Sequence, residues 1–321
     1  KLYVFIDEIQ HLSNPASFLK YIYDHYNEKI KFIVTGSSSL EIKKKFTDAL
    51  TGRIFRFEVL PLDFIEFLDF SQLNLSPSSF EQFTVFGGFP AIALKKDYHV
   101  MIKLLKDIYS LYVRRDIKDL GAIEDVLSFN KLITLLSSQI GGLISENNLS
   151  TAVGIARATI KNYLFILQNT FVITLLAPFF TNPKKEVTKR PKIYLNDNGI
   201  RNAIVDNFTF LDSRSDTGSL VENTIFSELK KAFGEKVSFW RSEKKQEVDF
   251  VIEKAKPIPI EVKYQSFRKP EIPVGLIFFI RKYQPDVAFV LTKNYHKEIL
   301  FETTHVFFKP CWTIEKVLRH I

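Results

Sequence analysis

The chain has 321 residues, 46% hydrophobic and 25% charged, with a formal net charge of +8 and one cysteine. That length predicts two or three domains with a substantial buried core, and the composition excludes extended disorder. Cys311 alone excludes an internal disulfide, so a reducing cytoplasmic compartment is expected; the basic balance leans toward polyanionic partners such as nucleic acid.

The first element, LYVFI (2–6), is too short for a core helix and does not alternate, so it reads as a parallel strand buried on both faces. It ends on Asp7 and Glu8, beyond the carboxyl end of the strand, where ligands gather in parallel sheets. Two readings are open there. Asp7 can hold Mg²⁺ beside nucleotide phosphates while Glu8 activates a water, or either carboxylate can cap the next helix. A strand at the very start, with Lys1 and no signal-peptide pattern, leads us to expect that further sequence precedes it. No apolar stretch reaches membrane-spanning length; FVITLLAPFF (171–180) is the longest candidate.

After a helix-like stretch, KIKFIVTGSSS (29–39) predicts a second buried strand ending in Thr35, Gly36 and serines. LTGRIFRFEVLPLDFIEFL (50–68) then places Arg53 after Gly52, followed by a short strand and a helix. In this order the three stretches resemble an AAA+ ATPase. The resemblance implies a Walker B pair with Asp7 as the Mg²⁺ ligand and Glu8 as the water-activating residue. It also implies Thr35 as the polar sensor and Arg53 as the arginine finger, with Arg56 in reserve. Such a finger stabilises the transferred phosphoryl group, often in a neighbouring subunit, so ATP, Mg²⁺ and a homo-oligomer are implied. More narrowly, the whole chain resembles the prokaryotic AAA+ ATPases that carry a C-terminal domain of unknown function, through VFGGFPA (85–91), YVRRDIKDL (112–120), RPKIYLNDNGIRNAI (190–204) and EVDFVI…PIPIEVK (247–263). One departure is plain: no two glycines lie five positions apart, so the phosphate loop G-x-x-x-x-G-K-[ST] does not occur in this sequence.

Residues 76–130 are helical in rhythm and read as a lid and connector. Residues 131–205 carry three short helices, an apolar strand, a basic tip TNPKKEVTKR (181–190) and a strand KIYL, the pattern of a winged helix-turn-helix. In the third helix, Ile160, Leu164 and Leu167 form an apolar stripe and Arg157 and Lys161 point elsewhere. A DNA-binding module would place that helix in a groove and use Lys184, Lys185, Lys189 and Arg190 on phosphates. A packing adaptor with a solvated basic loop is the other reading.

In SLVENTIFSELKKAF (219–233), Glu222 shares a helical stripe with Ile225, Phe226 and Leu229. A carboxylate there is costly unless paired, protonated or metal-bound. Two strands follow, QEVDFVIE (246–253) and PIPIEVKY (257–264), and a hairpin brings Asp249, Glu261 and Lys263 together with Glu222 alongside. The arrangement resembles the PD-(D/E)XK nuclease superfamily, which implies divalent metal at Asp249 and Glu261, Lys263 beside the attacked phosphate and Glu222 assisting. A solvated charged hairpin is the alternative. The expected architecture is therefore multidomain α/β: the C-terminal part of an AAA+ P-loop ATPase core (1–75), a helical lid (76–130), a winged helix (131–205) and a restriction-endonuclease-like α/β domain (206–321).

Overall fold

The computed structural model describes residues 1–26, 28–36, 53–111, 123, 125–179 and 190–321. Lys184, Lys185 and Lys189 lie outside them, as does YVRRDIKDL.

Strands β1 (Leu2–Ile6) and β2 (Ile30–Val34) pair in parallel, Leu2 opposite Ile30 through Ile6 opposite Val34, joined by helix α1 (Pro15–Tyr26). A small core of Ile9, Ala16 and Leu19 sits between helix and strands, with Phe18 edge-on to Phe32. The expectation that β1 is buried on both faces is not met: Phe5 is 72% exposed, and Leu2, Tyr3, Ile33 and Val34 are also exposed. Among the described residues the small core on this sheet comes from α1 and from Ile9 in the turn after β1, which leaves much of the ladder uncovered. Residues 53–63 are likewise irregular where a short strand was expected, with Phe55, Phe57 and Val59 each at least 87% exposed. No described strand lies alongside to complete a ladder there.

Helix α2 (Phe64–Ser71) opens with a reciprocal cap, Asp63 accepting from Glu66 N–H while Glu66 accepts from Asp63 N–H. Helix α3 (Pro77–Phe86) starts on the Ser76 cap with proline in its first turn, and packs Phe80 and Phe83 against Phe64 and Phe67. After the single turn α4 (Pro90–Ala93) come α5 (Tyr98–Leu111), α6 (Val126–Ser138), α7 (Glu146–Val153) and α8 (Arg157–Asn169). An antiparallel hairpin follows, β3 (Ile173–Leu176) with β4 (Lys192–Leu195), and Leu143 adds an isolated antiparallel bridge to Lys192.

Helix α9 (Asn198–Val205) packs against α3, α5 and α6. Gly199 permits this, because a Cβ would overlap the Phe86 carbonyl. One buried apolar cluster then draws on described residues from Phe64 to Val317.

Helix α10 (Thr217–Phe233) leads into a six-stranded mixed sheet of β5 (Val237–Arg241), β6 (Glu247–Ile252), β7 (Ile258–Lys263), β8 (Val287–Thr292), β9 (Lys297–Phe301) and β10 (Thr304–Pro310). Strand order is β5-β6-β7-β8-β10-β9, antiparallel from β5 to β7 and parallel across β7-β8-β10. Helix α11 (Val274–Tyr283) crosses from β7 to β8 and buries Leu276, Phe279 and Ile280 on the face where Trp240 and Val251 lie. Helix α10 and the terminal α12 (Ile314–His320) belong to the larger cluster on the other side. Among the described residues no helix is long and apolar enough to cross a membrane.

Candidate functional site

The β1–β2 ladder ends at Ile6 and Val34, so Asp7 and Thr35 emerge side by side beyond the carboxyl ends of the strands. The Thr35 hydroxyl donates to Asp7 Oδ1, and Glu8 N–H donates to Thr35 Oγ1 at 3.3 Å. Glu8 has φ 50° and ψ 53°, a left-handed conformation that costs a non-glycine residue energy. The structure thus brings together Asp7, Glu8 and Thr35. Asp7 is exposed and retains oxygen lone pairs for a cation, which fits one carboxylate ligand of a Mg²⁺–nucleotide, although this sequence has no phosphate-cradling loop. Arg53 is half-buried against α1: its Nε is 3.0 Å from Asp24 Oδ1 and its guanidinium lies 5.8 Å over the Tyr23 ring. Arg56 is exposed.

Helix α8 buries Ile160, Leu164 and Leu167 and turns Arg157, Lys161 and Phe165 outward. Arg157 Nε pairs with Glu146 Oε2 at 2.7 Å, and Arg190 is exposed at the foot of β4.

The second carboxylate constellation is the most heavily built part of the molecule. The β6–β7 ladder stops at the pair Phe250–Ile260, and Asp249, one residue further, receives Val262 N–H on Oδ2 at 2.9 Å. Asp249 N–H donates in turn to Glu261 Oε2 at 3.3 Å, and Lys263 Nζ lies 2.6 Å from Glu261 Oε1. Glu222 approaches from α10, held by the Tyr194 hydroxyl at 2.5 Å. Gly141, with φ +76°, lets the turn after α6 close over that carboxylate, since a Cβ there would reach 3.0 Å from Glu222 Oε1. Glu222, Asp249, Glu261 and Lys263 are therefore gathered in one place.

Four participants were not singled out from the sequence: Lys192, Tyr194, Arg241 and Glu247. Lys192 comes from β4 with its side chain only 2% exposed, and Nζ lies 2.6 Å from Glu247 Oε1, 3.3 Å from Glu222 Oε1 and 3.6 Å from Asp249 Oδ1. Arg241 reaches the far side of Glu247 at 3.4 Å. The legible signal was a lysine and a tyrosine two apart in the apolar strand KIYL, and a glutamate two before Asp249 on the same strand face.

The electrostatics follow from burial and crowding. Burial, and then repulsion from Asp249, push both the Glu222 and the Glu261 carboxyls above the ordinary range, against the pull of Lys192 and Lys263. Burial pulls the Lys192 ammonium down, but Glu222, Asp249 and Glu247 outweigh it and hold it above its usual value. Among the described residues no group of three His, Cys, Asp or Glu side chains is arranged to hold a metal ion. At this cluster Lys192 occupies the space between Glu222, Glu247 and Asp249, Lys263 pairs with Glu261 and Asp249 Oδ2 accepts Val262 N–H, so the carboxylate oxygens as placed are already engaged and do not fit a divalent ion.

A family model described as AAA domain matches residues 1–68. A Domain of unknown function (DUF8612) matches 77–211, and a Domain of unknown function (DUF4143) matches 217–312. An uncharacterized protein of Methanocaldococcus jannaschii is 31% identical over 271 residues, covering 78% of this chain and 58% of the relative. An uncharacterized protein of Haemophilus influenzae is 23% identical over 325 residues, 98% of this chain and 78% of the relative. One of Mycobacterium tuberculosis is 22% identical over 265 residues, 81% of this chain and 58% of the relative. The chain thus spans little more than half the length of two of these three. The two terminal family matches support an AAA-type, ATPase-like protein.

Proposed function

We propose that the complete protein is a nucleotide-dependent AAA+ machine that acts on or with DNA, its C-terminal module serving to bind rather than to cut. In this reading residues 1–75 belong to the ATPase core, 76–130 form its lid and connector, 131–205 are a winged helix and 206–321 are a restriction-endonuclease-like domain. The observation that carries the nucleotide part is the union of Asp7, Glu8 and Thr35 beyond two parallel strands, within the stretch matched by the AAA domain. Asp7 would hold Mg²⁺, Glu8 would orient the attacking water, and Arg53 would act in a neighbouring copy once released from Asp24.

DNA as partner is supported by the net charge of +8 and by the outward basic residues Arg157, Lys161 and Arg190 beside a three-helix unit with a two-stranded hairpin. Cleavage at Asp249, Glu261 and Lys263 is a second reading, favoured by the helix, three antiparallel strands, helix and parallel strand that frame them. Lys192 among the carboxylates favours binding instead. The test is the complete protein on single-stranded, duplex and branched DNA with ATP and Mg²⁺. Salt-sensitive binding without cleavage is expected. Cleavage lost in Asp249→Asn would establish the nuclease reading, and absence of both binding and ATP turnover would overturn the proposal.

A further inference from the structure

Lys192 belongs to the β3–β4 hairpin, yet every carboxylate it touches belongs to α10 or β6. Burying an ammonium is expensive unless it is surrounded by compensating charge, and Lys192 is surrounded on three sides, with the Phe239 ring 5.6 Å away. Four acidic side chains, Glu222, Glu247, Asp249 and Glu261, lie beside Lys192, Lys263 and Arg241, and three of the four are within 3.6 Å of the Lys192 ammonium. Removing Lys192 leaves Glu222, Glu247 and Asp249 crowded without the cation they share.

We propose that Lys192 is the resident cation of this cluster, occupying the carboxylates of Glu222, Glu247 and Asp249 that a divalent ion would otherwise draw on, and that it thereby latches the β3–β4 hairpin to the C-terminal sheet. The inference rests on the restriction-endonuclease-like reading of residues 206–321. Lys192 Nζ lies between Glu222, Glu247 and Asp249, so a divalent ion drawing on those same oxygens would meet the ammonium at contact distance, and their repulsion disfavours both being there at once. While β4 is docked the cluster is a structural joint. It becomes a metal site only if Lys192 leaves. Tyr194, two residues on, reinforces the joint by donating to Glu222 at 2.5 Å.

The experiment is Mn²⁺ titration of the full chain without nucleotide, followed by the electron paramagnetic resonance of free Mn²⁺, together with thermal melts. Asp7→Asn is present in every sample so that the strand-end carboxylate does not contribute. The Lys192-containing protein should bind no stoichiometric Mn²⁺ and melt at the same temperature with or without it. Lys192→Ala should melt several degrees lower, gain one Mn²⁺ site and recover part of the loss when Mn²⁺ is added, because a ligand bound only by the folded state stabilises it. Adding Asp249→Asn should abolish that site. Lys192→Arg keeps the charge and should remain indifferent to Mn²⁺, which keeps the idea testable if the alanine variant fails to fold. One equivalent of Mn²⁺ bound by the Lys192-containing protein and lost in Asp249→Asn would overturn the proposal, as would a Lys192→Ala protein that is fully stable and indifferent to the ion. These outcomes require neither DNA nor ATP, so failure of DNA binding leaves them standing.

Discussion

The Asp197 carboxylate accepts the Gly88 N–H at 2.7 Å, joining two sites 109 positions apart in the chain. The same carboxylate caps α9 through Ile200 N–H at 2.9 Å, and Gly87, at φ +75°, is held so close to it that a Cβ would overlap its oxygens. VFGGFPA and LNDNGIRNAI are thus two halves of one joint.

Asp197→Ala should destabilise the fold by about 2–4 kcal/mol, since it strands two backbone donors, one of them a helix cap. Gly87→Ala should cost a comparable amount through overlap and strain. Urea unfolding of the two variants checks this; midpoints unchanged from wild type would mean that the joint contributes nothing.

Glu228 is buried on α10 and accepts Phe64 N–H at 2.9 Å. Burial, and then Asp63, push its carboxyl up to about 8. A carboxyl raised above its unfolded value favours the fold fully at low pH and loses that contribution as pH climbs from about 4.5 through 8. Stability should therefore fall by roughly 2–4 kcal/mol between pH 5 and 8 on account of this group. Glu228→Gln keeps an acceptor for Phe64 and should flatten that slope, being more stable than wild type at pH 8 and nearly equal at pH 5. Parallel melting profiles of the two proteins across this range would refute the assignment.

In the complete protein, Glu8→Gln should bind ATP and fail to turn it over, because only the water-orienting carboxylate is lost. Thr35→Ala should slow turnover less, by releasing Asp7 from its hydroxyl donor. Single-turnover hydrolysis alongside equilibrium nucleotide binding separates the two. Normal turnover by Glu8→Gln would remove it from the site.

Arg157 and Lys161 stand outward on one face of α8, so paired replacement by Ala should lower the slope of log affinity against log salt by about 1–2 for duplex DNA. Arg157 must leave Glu146 to reach a phosphate, so Glu146→Gln should strengthen binding slightly. Fluorescence anisotropy at several salt concentrations is the readout, and an unchanged slope would assign α8 to packing.

Much of the local structure was legible because local rules govern it. Periodicity placed Ile160, Leu164 and Leu167 inward on α8, and alternation placed Glu261 and Lys263 on one side of β7. The apolar run Leu2–Ile6 is a strand that stops at Asp7, as its composition predicts. Burial of that strand was not local. Hydrophobicity says what a residue would lose in water, whereas burial depends on which elements arrive to cover it, and among the described residues the core on β1 and β2 is made by Ile9 and by Ala16 and Leu19 of α1.

By itself, then, the sequence determined which residues carry charge on otherwise apolar elements: Glu222 on its stripe, Asp249 and Glu261 on theirs. The tertiary structure alone decided what those charges face. Lys192 lies 30 positions from Glu222 and more than 50 from Glu247 and Asp249, on a hairpin with its own packing role, and no pattern within β4 foretells which partners its ammonium meets. Coulombic compensation acts through space, so that Glu222, Glu247 and Asp249 share one ammonium follows only from β4 being docked against α10 and β6.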